Sequence, residues 1–231
     1  MNKMNFDKRF TTYDDNADVQ RKAACHLLDF AEKNSFDSKK FKNIIEIGCG
    51  TGILTEEIVK RYSPEKIILN DIFDTRKYIK APYESFILGD IMKIELPQAQ
   101  TVVSSSVFQW ITPFEHLIKK LTSYENLVFS IYTEGNLKEI TEHFGISLEY
   151  YSHEELAQIL KKVFPEVVFE KEQITLEFSS PFEALRHLQA TGVTGFGKTS
   201  PAKIRNFSQE KLTYELGYFL CKKSMNHSKE K

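Results

Sequence analysis

The chain has 231 residues, enough for one well-filled α/β domain and short for two, and its 31 basic and 32 acidic side chains leave a net charge of −1. That balance gives no general attraction to nucleic acid or an anionic membrane, so a charged partner has to be met by a local patch. The three cysteines, Cys25, Cys49 and Cys221, share no Cys-x-x-Cys spacing, which argues against a disulfide framework or structural zinc site and for a reducing cytoplasm.

No stretch approaches the ~18 uninterrupted apolar residues of a membrane span, and Met1 to Arg9 is polar, so neither a spanning helix nor a secretion signal is expected. Over residues 17–33 the apolar positions Val19, Ala23, Ala24, Leu27, Leu28, Phe30 and Ala31 fall at helical spacing, predicting an amphipathic helix before the first strand. Strand patterns at 43–47, 66–70, 85–88, 101–106 and 126–132 alternate with helical patterns at 52–62, 114–122 and 152–163, as in a doubly wound parallel sheet. Ser152 and Glu155 have capping-box spacing. A long strand is read at 166–178, a helix at 181–192 and a Gly-, Lys- and Ser-rich loop at 192–207. A last strand at 211–221 is placed to return antiparallel into the sheet. The expected organisation is one domain over 1–222, with a lid and helix at 1–36, a cap insertion at 181–207 and a disordered tail at 223–231.

The most informative segment is 44–52, Ile-Ile-Glu-Ile-Gly-Cys-Gly-Thr-Gly, where a strand ends in Glu46 and opens into Gly48, Gly50 and Gly52 around Cys49 and Thr51. Glycines at alternate positions let the backbone turn sharply and approach a ligand, and the preceding carboxylate can bind an α-ammonium group. These features suit the amino-acid end of S-adenosylmethionine. The dinucleotide pattern G-x-G-x-x-G would need a glycine at 53, where Ile53 stands. Asp71 closes the second strand about 20 residues further on, the distance at which a βαβ unit delivers a carboxylate to a ribose diol. Asp90, after the third strand, is placed to read an adenine amino group. Taken singly, Asp71 or Asp90 is an ordinary strand terminus or cap. Their order after Glu46 and the glycines makes a constellation.

In an open α/β sheet the ligand lies beyond the carboxyl ends of the strands, so Ser104-Ser105-Ser106-Val107-Phe108-Gln109-Trp110 should face the donated methyl group. The segment lacks the Asp/Asn-Pro-Pro-aromatic sequence of nucleic-acid amino methylation. Trp110, the sole tryptophan, contributes buried area and an indole N–H suited to an anionic oxygen. Gln20 is a second donor candidate.

These residues resemble the malonyl-[acyl-carrier protein] O-methyltransferase family of biotin synthesis, within the class I S-adenosylmethionine-dependent methyltransferases. The resemblance covers nearly the whole chain. It includes Phe10-x-x-Tyr13 with Ala17 and Gln20, the glycine loop, Ser104 to Trp110, Thr133-Glu-Gly-Asn-Leu-Lys-Glu139, Tyr150-Tyr-Ser152 and Leu185-Arg-His-Leu-Gln-Ala-Thr-Gly192. It implies a Rossmann-like seven-stranded fold and methylation of the free carboxylate of malonyl on acyl-carrier protein. S-adenosylmethionine would be held by Glu46, Gly48, Cys49, Gly50, Gly52, Asp71, Asp90 and Ser106. Related carboxyl methyltransferases hold the acid with a Gln and a Trp, which by resemblance are Gln20 and Trp110, with Tyr13 closing over the donor and Arg186 assisting substrate binding. Residues 183–205 hold Arg186, Lys198, Lys203 and Arg205 against Glu183, a basic patch for an acidic carrier protein or simply a solvated loop. The rival expectations are a methyltransferase for a free small acid of the trans-aconitate type and a non-catalytic S-adenosylmethionine sensor.

Overall fold

Three of the predicted strands are buried almost from end to end, which is what a strand covered on both faces requires. The structure, a computed structural model, describes residues 17–191 and 199–223. Its strands are β1 (Asn43–Ile47), β2 (Lys66–Asp71), β3 (Ser85–Leu88), β4 (Thr101–Ser105), β5 (Asn126–Tyr132), β6 (Glu166–Glu177) and β7 (Lys211–Lys222). They form one seven-stranded sheet in the order β3-β2-β1-β4-β5-β7-β6. β1 to β5 pair in parallel, and β7 enters antiparallel between β5 and β6, as the sequence pattern predicts.

The helices are α1 (Asp18–Lys33), α2 (Ile53–Tyr62), α3 (Phe114–Leu121), α4 (Lys138–Phe144), α5 (His153–Lys161), α6 (Pro181–Thr191) and α7 (Pro201–Arg205). Successive strand residues feed opposite cores: Ile44 and Val103 pack with α1 and α2, whereas Ile45 and Val102 pack with α3 and α5. The capping box of α5 forms as expected, with Ser152 accepting from the Glu155 backbone and Glu155 accepting from that of Ser152.

Two helices depart from the sequence reading. α7 lies inside the expected 192–207 loop; Ser200 caps it by accepting the Lys203 N–H, and Pro201 occupies its first turn. α4 follows β5, and Gly145, at φ +69°, ends it. Both are too short to display a helical period in the sequence. β4 also stops one residue early, because Ser106 adopts φ +59°. The expected tail lies outside the described residues apart from Lys223, whose N–H donates to the Glu125 carbonyl. No helix among the described residues is long and apolar enough to cross a membrane.

The chain order reverses between β1 and β4, and a crevice opens beyond their carboxyl ends. At the opposite end of the sheet, Asp29 and Glu32 of α1 bind Arg61 and Tyr62 at the close of α2. Since α2 starts at the carboxyl end of β1, this pairing sets the beginning of α1, with Gln20, at the crevice.

Candidate active site

The glycine loop is tied to both neighbouring strands. Gly48 and Cys49 donate their N–H groups to the Asn70 carbonyl at 2.7 and 3.1 Å, and Gly52 donates to the Cys49 carbonyl at 2.9 Å. Gly48 sits at φ +71°, and a Cβ there would lie 2.4 Å from Val107 Cγ2, so only glycine lets the loops after β1 and β4 touch. At Gly50, φ is +52° and a Cβ would meet nothing within 4 Å, so this partly buried backbone borders open space.

Glu46 faces α2, only 2% exposed, and accepts a 2.6 Å hydrogen bond at Oε2 from the Thr55 hydroxyl. No cation pairs with it among the described residues. Burial therefore pushes its carboxyl up to about 8, with the Thr55 hydrogen bond opposing and the nearby Asp71 charge adding to the rise. Asp71, also buried, accepts from Gly50 N–H at 2.8 Å through Oδ2 and from Phe73 N–H at 2.9 Å through Oδ1. Burial raises its carboxyl and these backbone donors pull it back. Each oxygen keeps acceptor capacity for a ribose hydroxyl.

Asn70 is a positioning residue that the sequence reading missed. Its side-chain amide donates to the carbonyls of Ile87 and Gly89 at 2.9 and 3.0 Å, so one buried residue ties the glycine loop to the turn after β3. The only signal was a polar side chain within a buried strand, which demands partners. Asp90 behaves as a local cap: Oδ1 accepts the Met92 N–H at 3.0 Å, while Oδ2 lies 3.6 Å from Lys93 Nζ. Between these turns Ile72 and Leu88 remain exposed at 43% and 53%, an apolar surface beside the Asp71 carboxylate.

At the other side of the crevice Gln20 Oε1, Ser106 Oγ and Gln109 Oε1 are buried with no hydrogen-bond partner among the described residues. The Gln109 amide is oriented by its own bond, because Nε2 donates to the Ser106 carbonyl at 2.6 Å. Trp110 lies in the 3₁₀ turn Phe108–Trp110, its backbone N–H on the Val107 carbonyl at 3.0 Å. Orphaned polar atoms, an unpaired buried carboxylate and open glycine backbone together fit a polar ligand carrying a cationic group, as S-adenosylmethionine does.

The residues of the expected cap lie on α6 and α7. Arg186 lies on the exposed face of α6, with no ion-pair partner among the described residues, as does Arg205 of α7. Lys203 is engaged structurally rather than free: its Nζ donates to the Phe144 carbonyl at the end of α4, and its own carbonyl bonds the His143 ring. Tyr13 and Lys198 lie outside the described residues.

No family profile matches the chain. The chain is similar to a protein named malonyl-[acyl-carrier protein] O-methyltransferase from Calditerrivibrio nitroreducens, 34% identical over 229 residues that cover 94% of this chain and 91% of the relative. A protein of the same name from Bacteroides thetaiotaomicron is 32% identical over 224 residues, covering 93% of this chain and 85% of the relative. Among solved structures, a Bacillus halodurans protein provisionally assigned as a methyltransferase superposes with a TM-score of 0.63 over 88% of this chain and all of its own. At 10% identity, that likeness speaks for the fold alone.

Proposed function

This chain belongs to the malonyl-[acyl-carrier protein] O-methyltransferase family, and from that premise we propose that it moves the methyl group of S-adenosylmethionine onto the free carboxylate of malonyl carried by acyl-carrier protein, the ester-forming step of biotin synthesis. The observation that carries the reading is Glu46, a carboxylate buried beside the glycine loop with no cation paired to it among the described residues. Glu46 takes the α-ammonium group, Asp71 the ribose hydroxyls, and Ile72 with Asp90 the adenine. Gly48, Cys49, Gly50 and Gly52 form the floor, and Ser106 closes the side toward β4.

The bound donor supplies an electrophilic methyl on a sulfonium centre. The protein's own part is to bind and orient the acid. A malonyl carboxylate is already ionised at neutral pH, so no general base is required. Gln20 and Trp110 donate N–H groups to its oxygens and align one of them with the methyl carbon, while the apolar walls exclude water. In support, Gln20 is buried and no group among the described residues holds its amide oxygen, which leaves the amide free to turn its N–H toward the acid. α6 and α7 serve as the cap through which the carrier protein approaches.

The test is to incubate the protein with methyl-labelled donor and malonyl-[acyl-carrier protein], malonyl-coenzyme A, free malonate or trans-aconitate, then weigh the products. The reading predicts label on the malonyl carrier with matching release of S-adenosylhomocysteine. Exclusive labelling of a free acid favours the small-acid reading. Donor binding with no S-adenosylhomocysteine leaves only a sensor.

A further inference from the structure

Among the described residues, the Glu46 carboxylate has one hydrogen-bond partner, and that partner comes from the first turn of α2. Thr55 is the third residue of the helix, fully buried, and its hydroxyl has a single proton, which the 2.6 Å contact directs at Glu46 Oε2. We propose that Thr55 is a positioning residue for the methyl donor: it fixes the Glu46 carboxylate, favours its ionised form against the pull of burial and leaves Oε1 to receive the donor's α-ammonium group. The inference rests on the donor site described above and concerns a residue with no assigned part in it.

The surroundings make Thr55 the decisive neighbour. Glu46 pairs in the sheet with Leu69 of β2 and Val103 of β4, neither of which can stabilise a charge. The titratable groups facing it are Asp71, whose negative charge opposes ionisation, and Cys49, whose thiol burial pushes far above its usual range and so keeps neutral. Among the described residues, the Thr55 hydroxyl alone acts in favour of the carboxylate before the donor arrives. A short O–H···O⁻ bond of this kind favours the charged form over the neutral acid. Donor affinity then depends on two ionisations, a carboxylate on the protein and an ammonium on the donor. On the acid side it should weaken as pH falls below about 8, where Glu46 takes up its proton.

The experiment is calorimetric titration of S-adenosylhomocysteine, which keeps the α-ammonium group, into full-length protein from pH 6 to 9. Thr55→Val keeps the shape of the side chain and removes the donor. It is expected to weaken binding about tenfold or more at pH 7 and to shift the acid limb of the profile to higher pH, and Thr55→Ser should restore both. In a Glu46→Gln background Thr55→Val should add nothing, because there is no carboxylate left to hold. A Thr55→Val protein that loses thermal stability but keeps the wild-type affinity and pH profile would overturn the proposal, as would an additive loss in the Glu46→Gln background. If Thr55→Val does not fold, Thr55→Ala or Thr55→Cys carries the same comparison of profiles. Unchanged affinity in Glu46→Gln itself would instead remove the donor-site reading, so the two failures are distinct.

Discussion

The glycine-loop side of the crevice and the α6–α7 segment, proposed as its cap, are built on opposite principles. Around β1 and β2, Glu46, Asn70 and Asp71 are all nearly buried, and each is held by hydrogen bonds to backbone or to Thr55. On the cap, Phe182 of α6 is 72% exposed, Arg186 and Arg205 point to solvent, and α7 is a single short turn resting on α4 through Lys203 and His143. A small ligand with fixed functional groups rewards a rigid, prepaid geometry. A protein partner is met by exposed charge that steers approach and by apolar contacts that close on docking. The same chain therefore presents one site that should fail sharply when a single atom is removed and one surface that should fail gradually.

The largest effect is expected where the two meet. Gln20→Ala and Trp110→Phe should each lower the turnover number about a hundredfold while leaving donor affinity nearly intact, because the proposal has them orient the acid and not hold the donor. Trp110→Phe keeps most of the ring area and loses the N–H; full activity in that variant, measured by S-adenosylhomocysteine release at saturating donor, would show that the indole only packs.

Next in size are losses on the donor side. Glu46→Ala and Asp71→Ala should weaken donor binding by roughly 10- to 100-fold, the range of a hydrogen bond to a charged group. Glu46 carries a second, opposite signature. Its folded-state pKa lies above the unfolded one, so its stabilising contribution is full below the unfolded value and is lost as pH rises through about 8. Glu46→Gln should thus raise the melting temperature of the donor-free protein by a few degrees above pH 8 and change it little near pH 4. A variant that binds worse yet melts higher would show a carboxylate kept for its ligand; a lower melting temperature at pH 9 would contradict this.

The smallest effects belong to the cap. Arg186→Glu combined with Arg205→Glu should slow methylation of the carrier-bound substrate several-fold, spare malonyl-coenzyme A, and lose its influence between about 0.05 and 0.2 M ionic strength. Lys203→Glu should instead lower thermal stability, since Lys203 secures the end of α4. A salt-independent carrier preference that survives the double reversal would place docking elsewhere.

The same contrast explains what could be read from the residues. Glycines at alternate positions and apolar runs at regular spacing have few physical explanations, so the tight turn after β1 and the mostly parallel sheet were legible, including the antiparallel return of β7. Thr55, Asn70 and Gln109 were not, because an ordinary Thr, Asn or Gln acquires its meaning only from the partner that folding brings to it. α7 was missed although Ser200 and Pro201 signal a helix start, since five residues cannot display a period. Of the four charges of the basic cluster, Lys203 is engaged in packing and Lys198 lies outside the described residues.

The most direct test of the central claim is to locate the methyl group on the product. Tandem mass spectrometry of the malonyl-pantetheine fragment, released from carrier protein that was incubated with methyl-labelled donor and wild-type enzyme, assigns the label to oxygen or carbon. The account predicts a methyl ester on the free carboxylate, cleaved by mild alkali with loss of the label as methanol. Label retained on the α-carbon after hydrolysis, or a carrier that stays unlabelled while S-adenosylhomocysteine accumulates, would contradict it.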